Sequence, residues 1–243
     1  MFVYHYTNID AINAILTNEG LNIKAFHYSK YDKNDYAWAI EFVTPIIKEI
    51  CLEKGWYFDI EEPVDPFFIS FCKNETSDNM WKYFGDDYCG AQLIFKSKLL
   101  EEFSLKEHNP DVYLDCIYTD KIEEMKSFLL GKGWDKYLVH TDNDMQSDLK
   151  DISVFILKPC FFYEQEFRYM IPHRKNVTFT RNGEFIEEEI KKDDYKYVLF
   201  PKEALVGINI GCESDIEIED MMNLLQLRGY KNVIVNKGIK RYE

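Results

Sequence analysis

Apolar and polar residues alternate through FVYHYT, residues 2–7, in aromatic and β-branched types, and this pattern predicts a strand. The period then changes. In NIDAINAILTNEG, Ile9, Ile12, Ile15 and Leu16 recur at helical spacing, Asn8 or Asp10 can cap the start, and Gly20 stops the run. LNIKAFHYS reads as a second strand and KYDKND as a polar loop. DYAWAIEFVTPIIKEICLEKG is helical, with a break or kink expected at Pro45. A turn-rich connector, EEPVDP, leads to the strongly apolar strand FFISFC.

NETSDNMWKYFG reads as a helix capped by Ser77 or Asp78, GAQLIFK as a strand, and DVYLDCIYT as a continuation of the sheet. KIEEMKSFLLGKGW through SDLKDISVFIL reads as helical, interrupted by the polar HTDNDMQSD. The final third holds a strand in EQEFRYMIP, a charged hairpin-like region near TRNGEFIE and the strand YKYVLF. ALVGINIG, a helix in IEIEDMMNLLQLRG and a closing strand, KNVIVNKG, follow. No repeat, low-complexity segment or linker interrupts residues 1–243. Strands and helices mix without regular βαβ alternation, so the expected fold class is α+β, a single domain with a central sheet flanked by helices.

Composition narrows the function classes. With 18 Phe, 17 Tyr and 4 Trp in 243 residues the chain can build a substantial core and is not disordered. A formal net charge of −14 argues against phosphate-backbone binding driven by bulk charge, and leaves open a small local basic patch. The acidity concentrates in EFIEEEIKKDD and CESDIEIED, which read as solvated faces. There is no apolar run long enough for a membrane span and no signal-peptide pattern. The six cysteines are scattered, without CxxC or Cys/His pairs at zinc spacing, which points to reduced cytoplasmic thiols and no bound metal. GxGxxG, Walker A and HExxH motifs are absent.

Two stretches carry candidate chemistry. If FFYEQEFRYMIP is a strand, Glu164, Glu166 and Arg168 share one face, and Tyr163, Gln165 and Phe167 the other. That face is either a solvated Glu–Arg ladder of little energetic weight, or it aims a carboxylate into a cleft. There an anion stabilises positive charge on a sugar carbon as a glycosidic bond breaks, while a second carboxylate positions the attacking group. Arg168 either braces the two glutamates or meets a pyrophosphate. In the first strand, His5 and Thr7 share a face while Tyr4 and Tyr6 share the other. An imidazole nitrogen and a hydroxyl can together grip a ribose hydroxyl and a neighbouring amide; the alternative is a structural or exposed histidine. In DNMWKYFGDDYCG, Met80, Tyr83 and Phe84 lie at helical spacing, as a core stripe does, and Trp81 either joins that core or closes over a flat ring. Asn34 and Asp35 make a turn or a substrate loop.

Across most of its length the chain resembles bacterial domain-of-unknown-function family 2971 (DUF2971). The residues are YHYT, Asn34–Asp35, Ser70–Phe71 with MWKYFGDDYCGAQLIF, KPCFFYEQEFRYMI and VGINIG. The family's acid shortly after Asn-Asp is displaced here, with Glu41 the nearest equivalent. More distantly, HxT in the first strand, a helix behind it and a late ExE are similar to ADP-ribosyltransferases. YHYTNIDAINAILTNEGL in particular resembles the opening of DNA-modifying ADP-ribosyltransferase toxins and RNA 2′-phosphotransferases. That resemblance implies a split sheet and NAD as substrate. His5 and Thr7 would bind the nucleotide, Glu166 would promote transfer and Glu164 would serve as the accessory acid. Ser70 matches the strand-serine variant of the middle motif, and Tyr83 is a further candidate there through its place in the family motif.

The expected function is therefore an NAD-dependent ADP-ribosyltransferase or NAD glycohydrolase. By resemblance it would be a bacterial toxin or anti-phage effector acting on protein, DNA or RNA, with a regulatory or antitoxin partner. Two other classes stay open. One is a non-catalytic module binding a nucleotide or a nucleic-acid end; the other is an acidic interaction component working through the C-terminal region.

Overall fold

The computed structural model of the protein describes residues 1–28, 33–55, 66–75, 77–107, 112–131, 152–171, 177–179, 185–187 and 195–239. It is a mixed α+β fold built on a nine-stranded, mostly antiparallel sheet. The central strand is β3 (Phe67–Cys72), whose FFISFC sequence suits burial on both faces. Phe67, Ile69 and Phe71 enter the main core, Phe68 a second core and Cys72 a third.

The N-terminal elements follow the alternation read above. β1 (Phe2–Thr7) sends Val3 into the main core, and Tyr4 and Tyr6 into the third cluster with Trp81 and Tyr88. α1 (Ile9–Ile15) is capped by Asn8, whose side chain accepts from the Ala11 amide at 2.8 Å, and it buries Ile12 and Ile15. β2 (Leu21–His27) buries Leu21, Ile23 and Ala25. α2 (Lys33–Lys54) is one helix containing Pro45, and Val43, Ile46, Ile47 and Ile50 pack on the second core. α3 (Asp78–Tyr83) has Ser77 as its cap, accepting from the Met80 amide.

The remaining strands are β4 (Ala91–Lys96), β5 (Val112–Asp115), β6 (Ile117–Tyr118), β7 (Ile156–Leu157), β8 (Glu166–Ile171), β9 (Val177–Phe179), β10 (Phe185–Glu187), β11 (Tyr195–Phe200), β12 (Leu205–Gly211) and β13 (Ile234–Ile239). The helices α4 (Ser97–Glu107), α5 (Ile122–Leu130) and α6 (Ile218–Leu227) complete the set. The main sheet runs β11-β2-β3-β1-β4-β12-β13, with β8 also on β3 and β5 on β8. Among the described residues, no helix is long and apolar enough to cross a membrane.

Several local expectations are corrected. DVYLDCIYT breaks at Cys116, and β6 leaves the main sheet to pair in parallel with β7. Ile156–Leu157, expected to be helical, is that partner strand; the expected helix and polar interruption between residues 132 and 151 lie outside the described residues. Asn34 and Asp35 are not in a loop but in the first turn of α2, with side chains outside the described residues. Glu164 is not on the strand: Pro159–Glu164 is a 3-10 helix, ended by Gln165 in the left-handed region at φ 42°, and β8 begins one residue later. Pro159 at the start of that turn supplies the fixed φ that favours it.

β3 is also where the sheet forks. One edge of β3 pairs with β8 along its whole length. The other is shared: β2 takes Phe67 and Phe68, and β1 takes only Cys72, opposite Tyr4. β1 is held along its length by β4, and β2 by β11, so the two are pulled apart. Between them, along Ile69–Phe71, the register of β3 with β1 and β2 is interrupted and a gap opens on that edge, while β8 stays paired on the other.

A polar chain, buried at Tyr6, Gln92 and Asn209 and exposed at Asn236, crosses four strands beside this gap. Asn236 Nδ2 donates to Asn209 Oδ1 at 3.2 Å, Asn209 Nδ2 to Gln92 Oε1 at 2.7 Å, and Gln92 Nε2 to Tyr6 Oη at 2.7 Å. Gln92 Nε2 and Tyr6 Oη also donate to the Glu75 carbonyl, at 2.8 and 3.3 Å, and so tie down the segment after β3. Gln92→Leu removes the link and leaves the Asn209 amide and the Glu75 carbonyl short of a partner. It should destabilise by about 2 kcal/mol, read as a lower denaturant midpoint at unchanged m-value.

Candidate functional site

The gap opens into a cleft of about 670 Å³. Its floor is the open edge of β3, with Ser70 and Phe71; one wall is β1 with His5 and Thr7, the other β2 with Asn22 and Lys24. α1 contributes Ala11 and Ala14, and Tyr83 and Phe84 of the α3 end form part of the rim, both well exposed. Glu166 reaches the lining from β8, opposite Cys72. His5, Thr7, Ser70, Tyr83 and Glu166, distant in the chain, thus line one cavity.

His5 is half-buried where β1 leaves β3, and its Nδ1 lies 3.0 Å from the Ser70 carbonyl oxygen. A carbonyl only accepts, so Nδ1 carries the proton. Burial holds the imidazole below its ordinary pKa, against the opposing pull of that carbonyl. The ring is neutral, and its Nε2 is an acceptor. The side chain stands in for a ladder bond that the fork removes. Because the folded-state pKa is depressed, the unfolded chain binds the extra proton first. His5 therefore stabilises the fold above its unfolded pKa of about 6.5, and that contribution is lost as pH falls toward the folded value. Denaturant melts over this window should show stability dropping on acidification, and His5→Gln should flatten the drop.

Glu166 is held from three sides. Arg168 Nε donates to its Oε2 at 2.5 Å, its amide donates to Tyr118 Oη at 2.6 Å, and its carbonyl accepts from the Cys116 amide at 3.1 Å. Arg168 also donates to the Val154 carbonyl at 2.5 Å, and its guanidinium lies 4.6 Å from the centre of the Phe68 ring. Arg168 has no exposed surface, so it braces Glu166 from behind and is not within reach of a pyrophosphate. Glu164 is buried at the end of its 3-10 helix, beside Tyr163. The Tyr163 hydroxyl is pushed up to about 12, by burial first and then by the adjoining, hydrogen-bonded Glu164.

Trp81 does not close over the cleft. It is fully buried, edge-on to Tyr6 at 5.3 Å and stacked on Tyr88 at 5.9 Å, because α3 turns its Met80–Trp81 face inward and leaves Tyr83 outside. Three participants were missed from sequence. Cys72 lines the cleft opposite Glu166; its thiol is pushed up to about 12, by burial first and with Glu166 and Glu164 adding to it, so it stays protonated. Tyr118 and Lys24 carried no spacing that would single them out; one acts through a strand break and the other through the fork.

Comparisons with protein-family models, curated proteins and solved structures find no match to this chain. The resemblances given above therefore rest on the residues quoted for them. What the geometry offers chemically is an anion in an enclosed position, a neutral imidazole acceptor, two hydroxyls and an open backbone edge around one cavity.

Proposed function

We propose that the protein consumes NAD in this cleft, as an enzyme of ADP-ribosyltransferase type. The observation that carries the reading is the convergence of His5 and Glu166 on one cavity. The volume falls within the range of about 300–1,000 Å³ usual for small-molecule sites. His5 Nε2 suits a ribose hydroxyl as acceptor, with Thr7 beside it. On the gap edge of β3 the Ser70 amide can donate to a carboxamide oxygen, beside the Ser70 carbonyl that already accepts from His5. Tyr83 and Phe84 offer rings at the rim for a flat heterocycle.

Bound NAD supplies a sugar–nitrogen bond whose electron pair leaves with nicotinamide, the acceptor then bonding to that carbon and releasing a proton. Glu166 stabilises the positive charge that develops on the sugar carbon, and Arg168 keeps its carboxylate oriented. His5 and Thr7 hold the ribose so that the charge builds next to Glu166. Water as acceptor makes the reaction hydrolysis; a macromolecule makes it transfer, as a toxin or anti-phage effector would use it.

The test is nicotinamide release from NAD by the purified protein, alone and with cell extract added to supply an acceptor. Release supports the reading. Silence in both arms from a folded protein overturns it.

A further inference from the structure

One wall of the cleft continues outward as a sheet face with unusual chemistry. In the β2–β11 pair, Phe26 lies opposite Tyr195, Lys24 opposite Tyr197 and Asn22 opposite Leu199, so all six point to one side. The reverse side, with Ile23, Ala25, Val198 and Phe200, is core. On the outward side Phe26, Tyr195 and Tyr197 are each about half exposed, although aromatic rings usually gain by burial. Lys24 Nζ sits 4.0 Å from the centre of the Tyr195 ring and 5.1 Å from that of Phe26. On this outward side Lys24 is the charged residue and there is no Asp or Glu, in a chain of net charge −14; Lys196, opposite Ala25, belongs to the reverse side and lies 4.7 Å from the centre of the Phe67 ring. Asn22, Lys24, Phe26 and Tyr197 also line the cleft, so the face and the cavity are continuous.

We propose that this face binds the unpaired bases of a single-stranded nucleic acid and seats it at the mouth of the cleft. Its role as acceptor rests on the NAD-consuming reading. Exposed rings on an open sheet, with a cation among them, are the arrangement that holds splayed bases and a neighbouring phosphate. Tyr195 and Tyr197 are two residues apart on one strand, their ring centres 5.5 Å apart and their planes at 77°, so the pair forms one edge-to-face aromatic platform for an unpaired base, with Lys24 beside it. A duplex keeps its base faces in its own stack and cannot use them. A mononucleotide is better served by a concave pocket than by an open face. The acidic remainder of the molecule limits the contact to a short segment, with Lys24 meeting a phosphate and the rings supplying most of the affinity.

The experiment is fluorescence anisotropy with a short labelled single-stranded oligonucleotide of mixed sequence, as DNA and as RNA, at low salt and without NAD. The wild type should bind saturably and prefer the single strand to its duplex. Tyr195→Ala should weaken binding roughly tenfold, as expected for loss of one stacking ring. Tyr195→Phe, which keeps the ring, should bind like wild type and shows that the position tolerates change. Absence of saturable binding, equal affinity in Tyr195→Ala, or preference for duplex overturns the proposal. Self-association that Tyr195→Ala abolishes, without oligonucleotide binding, overturns it in favour of a second copy of the chain. Binding is read without NAD and nicotinamide release without oligonucleotide, so each can fail alone.

Discussion

Glu166→Gln is expected to lower the kcat for nicotinamide release by about 10²–10³-fold while changing the KM for NAD little. The substitution keeps size and shape and removes only the negative charge facing the sugar carbon. That charge matters as the bond breaks, whereas His5 and Thr7 hold the ribose in ground and transition state alike, so the loss belongs in kcat. The carboxylate is enclosed, with little exposed surface and an Arg168 contact of 2.5 Å, and solvent screens it weakly there. The expectation is checked by single-turnover and steady-state rates at a temperature where thermal melts show the variant folded. An unchanged kcat would remove Glu166 from the chemistry.

Arg168→Ala should be the most damaging substitution for stability, costing about 3–5 kcal/mol. Arg168 is fully buried, is paired with Glu166, donates to Val154 and packs on Phe68. Removing it strands a buried carboxylate and opens a void between strands, two costs that add. Arg168→Met with Glu166→Gln removes both charges and refills part of the space, so the double variant should be more stable than the sum of the single losses by about 2–3 kcal/mol. Chemical denaturation of the four species gives that coupling directly. Strict additivity would mean that the ion pair does not hold the strand end together.

Much of the fold could be read from local pattern. FVYHYT, FFISFC, GAQLIFK and YKYVLF are strands, and Asn8 and Ser77 are caps, because alternation and capping are decided within a few residues. The misses share a cause. Cys116 and Gln165 interrupt runs whose composition is uniformly strand-like, and the interruption follows from where the chain must go next. Gln165 takes a left-handed φ that nothing in EQEF announces. The separation of Glu164 from Glu166 is the consequence: the ExE spacing is present, but only the second carboxylate lines the cleft.

The sequence by itself determined the identity of most of the described elements, though not of Ile156–Leu157 or Pro159–Glu164, and with them the mixed α+β class and the amphipathic faces of β1 and β2, all of which follow from side-chain period. It also placed an imidazole between two tyrosines at the start of the chain. The tertiary structure alone decided that β1 and β2 share one edge of β3 and diverge, because β4 and β11 hold each of them elsewhere. That divergence makes the cavity, turns His5 toward the Ser70 carbonyl in place of a strand partner, and brings Glu166 to the same space. Pairing across such distances is set by competition among strands for edges, a property of the whole sheet and not of any segment within it.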